Sequence, residues 1–130
     1  MFDNCKNTKD QGNIGLGMAI QYFTSIHSIV SIPLNDSQDY DLIVDINGVL
    51  KRIQVKTCNY VTKRGNWGVN LKVSGGSSKT NRIMKRNNDI IYDLLFVVCG
   101  DGSKFLIPKE KITQRNFLTI TKTSHLQYKI

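Results

Sequence analysis

A carboxylate, a carboxamide and an ammonium group stand in this chain at a spacing that one β-hairpin can gather. Asp41 precedes the dipeptide Asn47-Gly48, and Gln54 and Lys56 follow it. Asn-Gly between two strand-like runs predicts a two-residue turn, because both central positions need positive φ. With that turn Ile46 pairs with Val49, which sets Asp41 opposite Gln54 and Asp39 opposite Lys56. Opposed residues share a sheet face with Cβ atoms about 5 Å apart, and residues two apart on a strand share it as well. Leu42 and Ile53, with Tyr40, Val44 and Val55, then fall on the other, apolar face. A slip of one residue in register would scatter the polar groups.

These groups suit phosphodiester hydrolysis. A hard cation such as Mg²⁺ takes oxygen ligands. Asp41 offers a charged oxygen and Gln54 a neutral carbonyl oxygen. Lys56 can stabilise negative charge developing at phosphorus, while the cation lowers the pKa of the attacking water. On a merely solvated face the same residues would leave only a surface pair between Asp39 and Lys56, worth at most about 1 kcal/mol.

The hairpin needs elements around it. Ile14, Met18 and Tyr22, with Ala19, Phe23 and Ile26 beside them, predict a helix over residues 13–26, after a polar lead-in over 4–11 and with His27 at its end. Gly12, Gly15 and Gly17 weaken its start, which close approach of the helix backbone to another element would explain. Their spacing does not fit a dinucleotide fingerprint. Strands are expected at 28–32, 39–46, 49–58, 69–73, 94–99, 105–107 and 117–121, with a short helix opened by Pro108 over 109–112. That order predicts an α+β fold, a mixed β-sheet flanked by helices.

Bulk properties narrow the partners. A chain of 130 residues fits one domain, 1–130. Eighteen Lys and Arg against ten Asp and Glu leave a net charge of +8, which favours a polyanion, either nucleic acid or an acidic membrane. Lys63 and Arg64 beside Trp67, and Lys79, Arg82, Lys85 and Arg86 further on, are candidate DNA contacts, with Asn81 and Asn87 as hydrogen-bonding neighbours. Trp67 itself reads more readily as packing than as a base stack. The stretch 75–80, GGSSKT, lacks the spacing of a phosphate loop. Cys5, Cys58 and Cys99 are odd in number and form no CxxC, which argues for a reduced intracellular, cytoplasmic setting; His27 and His125 lack Cys partners for zinc. Residues 1–11 do not resemble a signal peptide, and the apolar run 90–99, interrupted by Asp93, is too short to span a bilayer.

Asp41 followed by Gln54-Val55-Lys56 resembles the Asp…(Glu/Gln)-x-Lys signature of the PD-(D/E)xK nuclease superfamily. The string YDLIVDINGVLKRIQVKT over 40–57 and FVVCGDGSKFLIPKEKI over 96–112 are similar to the small homing endonucleases of group I introns, which use Gln where most relatives use Glu. The resemblance covers about residues 12–112. It implies a restriction-endonuclease-like fold, metal-dependent cutting of double-stranded DNA, Mg²⁺ or Mn²⁺ as cofactor, and a homo-oligomer. It also implies Asp41, Gln54 and the Val55 carbonyl as metal ligands and Lys56 as the catalytic lysine. A junction-resolving nuclease, or a nuclease-fold DNA-binding module with impaired cleavage, are the alternatives. One departure stands out. The family places Glu after a Gly-x-x-Gly pattern on the first helix, whereas Gly12-Asn13-Ile14-Gly15 is followed here by Leu16. That leaves one carboxylate fewer, with Gln11 or Asn13 as the residues able to reach in instead.

Overall fold

The computed structural model describes residues 1–35, 37–74 and 84–130. Helix α1 spans Thr8–Ser25 and so begins earlier than its apolar stripe predicts. Asn7 caps it: the side-chain oxygen accepts the Asp10 N–H at 2.9 Å, and the Asp10 carboxylate accepts the Lys6 N–H at 3.2 Å. A carboxylate here also favours the positive end of the helix dipole. Much of the expected polar lead-in is therefore the first turn, whose polarity reflects capping. At the other end His27 adopts φ 63°, its N–H donates to the Thr24 carbonyl, and the Ser28 N–H reaches back to Phe23. This left-handed stop closes the helix where the sequence places it.

The main sheet has five strands in the order β1 (Ile29–Ser31), β2 (Leu42–Ile46), β3 (Val49–Cys58), β8 (Leu94–Cys99) and β9 (Lys104–Pro108). β3 and β8 run parallel and the other neighbours antiparallel. Between β3 and β8 in sequence lie β4 (Tyr60–Val61), β5 (Trp67–Asn70), β6 (Val73–Ser74) and β7 (Met84–Lys85), and β10 (Phe117–Ile120) follows β9. A second sheet orders β10, β5 and β4, and β6 pairs with β7. The expected strand over 69–73 thus divides between β5 and β6. The expected helix after Pro108 is a single 3₁₀ turn, Lys109–Lys111. The result is the mixed α+β, restriction-endonuclease-like architecture, with one correction. Among the described residues only one face of the main sheet carries an α-helix, and the second sheet covers the other.

Two apolar cores follow from that layering. Ala19 and Phe23 of α1 pack on Leu42, Val44, Ile53, Phe96 and Val98. On the opposite face Leu95, Val97 and Ile107 meet Val69, Leu71, Leu118 and Ile120 of the second sheet and its flank. Trp67 packs against this second core. Cys58 and Cys99 are paired neighbours on β3 and β8, both buried, with sulfurs 3.4 Å apart as free thiols.

Gly15 is where α1 approaches β3. A Cβ there would collide with the Thr57 methyl and meet Val55 Cγ1 at 3.6 Å, whereas Gly12 and Gly17 have nothing within 4 Å. The close-approach reading therefore holds for one glycine of the three. Helix propensity alone favours alanine at each position by about 1 kcal/mol. We expect Gly12→Ala and Gly17→Ala to stabilise the protein by up to about that amount in urea unfolding. Gly15→Ala should instead destabilise it by about 1–3 kcal/mol, as overpacking does.

Candidate active site

The Asn47-Gly48 turn forms as read, with both residues at positive φ, 53° and 82°, and Asp45 accepting the Gly48 N–H at 2.7 Å. The ladder then runs in the expected register from Ile46↔Val49 to Leu42↔Ile53. There it stops, and two expected pairings do not occur. The Asp41 N–H donates to the Ile53 carbonyl at 2.8 Å, one residue short of the Gln54 that simple opposition predicts. Asp39 does not face Lys56: its carboxylate binds Lys85 Nζ at 2.9 Å and the Ile91 N–H at 3.0 Å. Tyr40 correspondingly packs on the second-sheet core rather than beside Val44. The strand period of two cannot be carried past the point where the chain leaves the sheet.

This early departure brings Asp41 to β3 by its side chain. Its Oδ2 accepts the Val55 N–H at 2.7 Å, in the position where a partner strand's carbonyl would otherwise lie. In an extended strand a residue's N–H and C=O point to the same edge. The Val55 carbonyl therefore also points to the edge that β2 has vacated, and the Gln54 amide meets it, Nε2 to O at 3.4 Å. Gln54 is buried at 8% exposure. Rotating its terminal amide by half a turn exchanges nitrogen for oxygen. Asp41, the Val55 carbonyl and Gln54 are thus gathered at one strand edge. Lys56, on the same face of β3 as Gln54, donates from Nζ to the Lys72 carbonyl at 3.0 Å.

Electrostatics mark the site. Burial raises the Asp41 pKa above the usual carboxylate range, opposed by the Val55 N–H and by the charge of Lys56. Burial lowers the Lys56 pKa, opposed by attraction to Asp41. Both groups are pushed toward neutrality, and a cation beside Asp41 would reverse its share of that cost. With the Gln54 amide turned, the donor set would be all oxygen, two neutral and one anionic, which fits a hard divalent ion. Among the described residues no three His, Cys, Asp or Glu side chains cluster as a metal group. Leu16 packs against the α1 core and supplies no carboxylate. Gln11 does reach β3, donating from Nε2 to Thr57 Oγ1 at 2.9 Å, but Thr57 faces α1, away from Gln54 and Lys56.

The candidate DNA contacts divide. Lys63 and Arg64 are exposed on the turn between β4 and β5, which the Thr62 and Asn66 backbones close at 2.8 Å. Arg86 is exposed beyond β7, and Lys85 is committed to Asp39. Lys79 and Arg82 lie outside the described residues, as does the stretch 75–80. No helix of the described residues is long and apolar enough to cross a membrane.

A mixed sheet with an acid at its broken edge and a Gln-x-Lys on the adjoining strand defines a nuclease of the PD-(D/E)XK class. The chain belongs to the PD-(D/E)XK endonuclease family, whose model matches residues 6–128. Its fold is similar to that of the bacterial homing endonuclease I-Ssp6803I, with a TM-score of 0.74 at 24% identity over 95% of this chain and 88% of that one. No curated protein matches the sequence.

Sequence reading missed how β3 is held beside β8. The Asp93 carboxylate accepts from the Arg52 backbone N–H at 2.7 Å, from Nε at 3.0 Å and from the terminal guanidinium nitrogen at 3.1 Å, and the Asp93 N–H donates to the Arg52 carbonyl at 2.9 Å. The Arg52 guanidinium beside it holds the Asp93 carboxyl below its ordinary range. A depressed carboxylate pKa stabilises the fold above the unfolded value, near 4, and that gain is lost as pH falls through the folded value. Arg52 is 43% exposed, so solvent screening reduces the ion pair's share. We expect Asp93→Asn to cost about 1 kcal/mol in urea unfolding at neutral pH. The difference from wild type should close as pH falls from the unfolded carboxylate value through the lower folded one.

Proposed function

We propose that this protein is a Mg²⁺-dependent endodeoxyribonuclease that hydrolyses phosphodiester bonds in double-stranded DNA, acting at a specific site as a homing-type enzyme. One observation carries the reading: Asp41, the Val55 carbonyl and Gln54 share an open strand edge, with Lys56 on the same face of β3. Family membership supports nuclease chemistry, the structural neighbour is itself a homing endonuclease, and a net charge of +8 suits a polyanionic substrate.

Asp41, Gln54 and the Val55 carbonyl would hold the cation, Mg²⁺ or, in its place, Mn²⁺. When bound it supplies Lewis acidity and a lower pKa for the attacking water. The chain's own groups do the rest. The Val55 N–H holds Asp41 Oδ2, which fixes the carboxylate and leaves its other oxygen as a ligand. Lys56, held at Lys72, sets its ammonium to stabilise charge developing on the phosphoryl oxygens. Lys63, Arg64 and Arg86 are the exposed cations for phosphate neutralisation, with Lys79 and Arg82 candidates from sequence.

A second reading, a DNA-binding module of nuclease fold with impaired cleavage, draws on Leu16 and on the single carboxylate at the strand edge.

Purified protein with Mg²⁺ should nick or cut duplex DNA carrying its site. Asp41→Ala and Lys56→Ala should each lower cleavage by at least about 10²-fold while leaving the DNA Kd measured without divalent metal within about threefold. Binding without cutting in Mg²⁺ or Mn²⁺ would favour the second reading, and preferential cutting of four-way junctions would change the substrate. Affinity should fall steeply with salt, and Lys63→Ala or Arg64→Ala should each reduce the slope by about one. An affinity indifferent to salt would remove nucleic acid from the account.

A further inference from the structure

Asp41 belongs to no strand. One backbone hydrogen bond, from its N–H to the Ile53 carbonyl, ties it to the sheet, and among the described residues between β1 and Asp41 there is no strand. What holds that approach is Asp39. Its side chain is only 11% exposed and binds two segments distant in sequence. Oδ1 accepts from Lys85 Nζ at 2.9 Å, at the foot of β7, and Oδ2 accepts the Ile91 N–H at 3.0 Å, just before β8. The same two-stranded unit touches the site at its other foot, where the Lys72 carbonyl next to β6 receives Lys56 Nζ. Val73 pairs with Lys85, so the two feet are directly opposed.

We infer that Asp39 and Lys85 are positioning residues for the candidate active site, and that the β6–β7 stem is a brace whose two feet set Asp41 and Lys56 relative to each other. This assigns Lys85 a role different from phosphate contact, although its charge and its basic neighbourhood suggest the latter. The inference rests on the proposed metal-dependent cleavage for its kinetic consequence, while the positional claim stands on geometry alone. A lysine on phosphate contributes to binding and to its salt dependence. A lysine that braces a ligand-bearing segment acts on geometry at the reacting centre. Outer partners of metal ligands characteristically change metal affinity or turnover by about 10–100-fold.

Lys85→Gln and Asp39→Asn separate these roles, with the double variant closing a cycle. Asp39→Asn keeps an oxygen for the Ile91 N–H and turns an amide donor toward Lys85, so the Lys85 contact is lost while the backbone bond stays, which limits damage to the fold; thermal melts check this. Three measurements are made on the full chain. Amide hydrogen exchange should speed up at Asp41 and Val55 in both variants, since one N–H is Asp41's own and the other is held by its carboxylate. Cleavage at saturating Mg²⁺ should show kcat lower by about tenfold with the KM for DNA unchanged, and the metal-free DNA Kd and its salt slope should stay as in wild type. Titration with Mn²⁺ alone should show weakened ion uptake. The double variant should be no worse than either single one, as expected for residues acting through one contact. Unchanged exchange at Asp41 and Val55 would overturn the brace whether or not the protein cuts DNA. So would a loss of about one unit of salt slope in Lys85→Gln with kcat intact, which would make Lys85 a phosphate contact. If wild type neither cuts DNA nor takes up the ion while exchange responds as expected, the proposed cleavage fails and the positional inference survives.

Discussion

The short contact between the Asp41 carboxylate and the Val55 N–H organises the site. In a regular hairpin that N–H would be satisfied by a carbonyl of the partner strand, and the Val55 carbonyl would be consumed in the same ladder. Here the backbone of residues 39–41 has already left the sheet, and a side chain takes over as acceptor. The exchange preserves the hydrogen bond of a partly buried donor, which is costly to leave unmade. It also frees the neighbouring carbonyl. A strand edge that would otherwise be closed becomes a place where a carboxylate, a backbone carbonyl and a buried amide meet.

Maintaining this break makes demands elsewhere. β3 must stay rigid where it has lost its antiparallel neighbour, and its parallel pairing with β8 supplies that over Ile53 to Cys58. Arg52 and Asp93 fasten the start of that pairing through four hydrogen bonds. On one face α1 lies close enough for Gly15 to touch Thr57, which fixes the height of the helix above the site strand. On the other, the second sheet presses on Leu95 and Val97, beside Gln54 and Lys56. The site lies where these layers meet. Its groups are accordingly desolvated, which is why the pKa values of Asp41 and Lys56 both move toward the neutral forms.

Local rules made part of this legible in advance. Asn47-Gly48 has a backbone requirement that few other dipeptides meet, so the turn and the first five pairs of the register could be read from sequence. Leu94–Cys99 is apolar throughout because both its faces are covered. Other features depend on non-local partners. Asp39 looked like a strand residue because nothing near it in sequence announces Lys85 or Ile91. The first turn of α1 is polar and was hidden from an apolar-period argument, although Asn7 and Asp10 carry the capping signal. The second flanking layer was expected to be helical, and β4, β5 and β10 are too short and too separated in sequence to announce a sheet. The convergence of Asp41 and Gln54 was reached by simple opposition. The structure brings them together by a different route, through Val55.

The donor set constrains the chemistry that the proposed reading can support. With Leu16 packed against the α1 core, one carboxylate, the Val55 carbonyl and the Gln54 amide meet at the strand edge. Mg²⁺ sheds water reluctantly and is commonly held by one or two carboxylates together with substrate phosphates. A site with a single anionic ligand therefore leans on the phosphate of its substrate to complete the charge around the ion. Ion and DNA affinities would then be linked, each raising the other by the same factor, as reciprocity of binding free energies requires. Such coupling would tie cleavage to correctly seated DNA without any moving part, because the duplex itself would bring the missing negative charge.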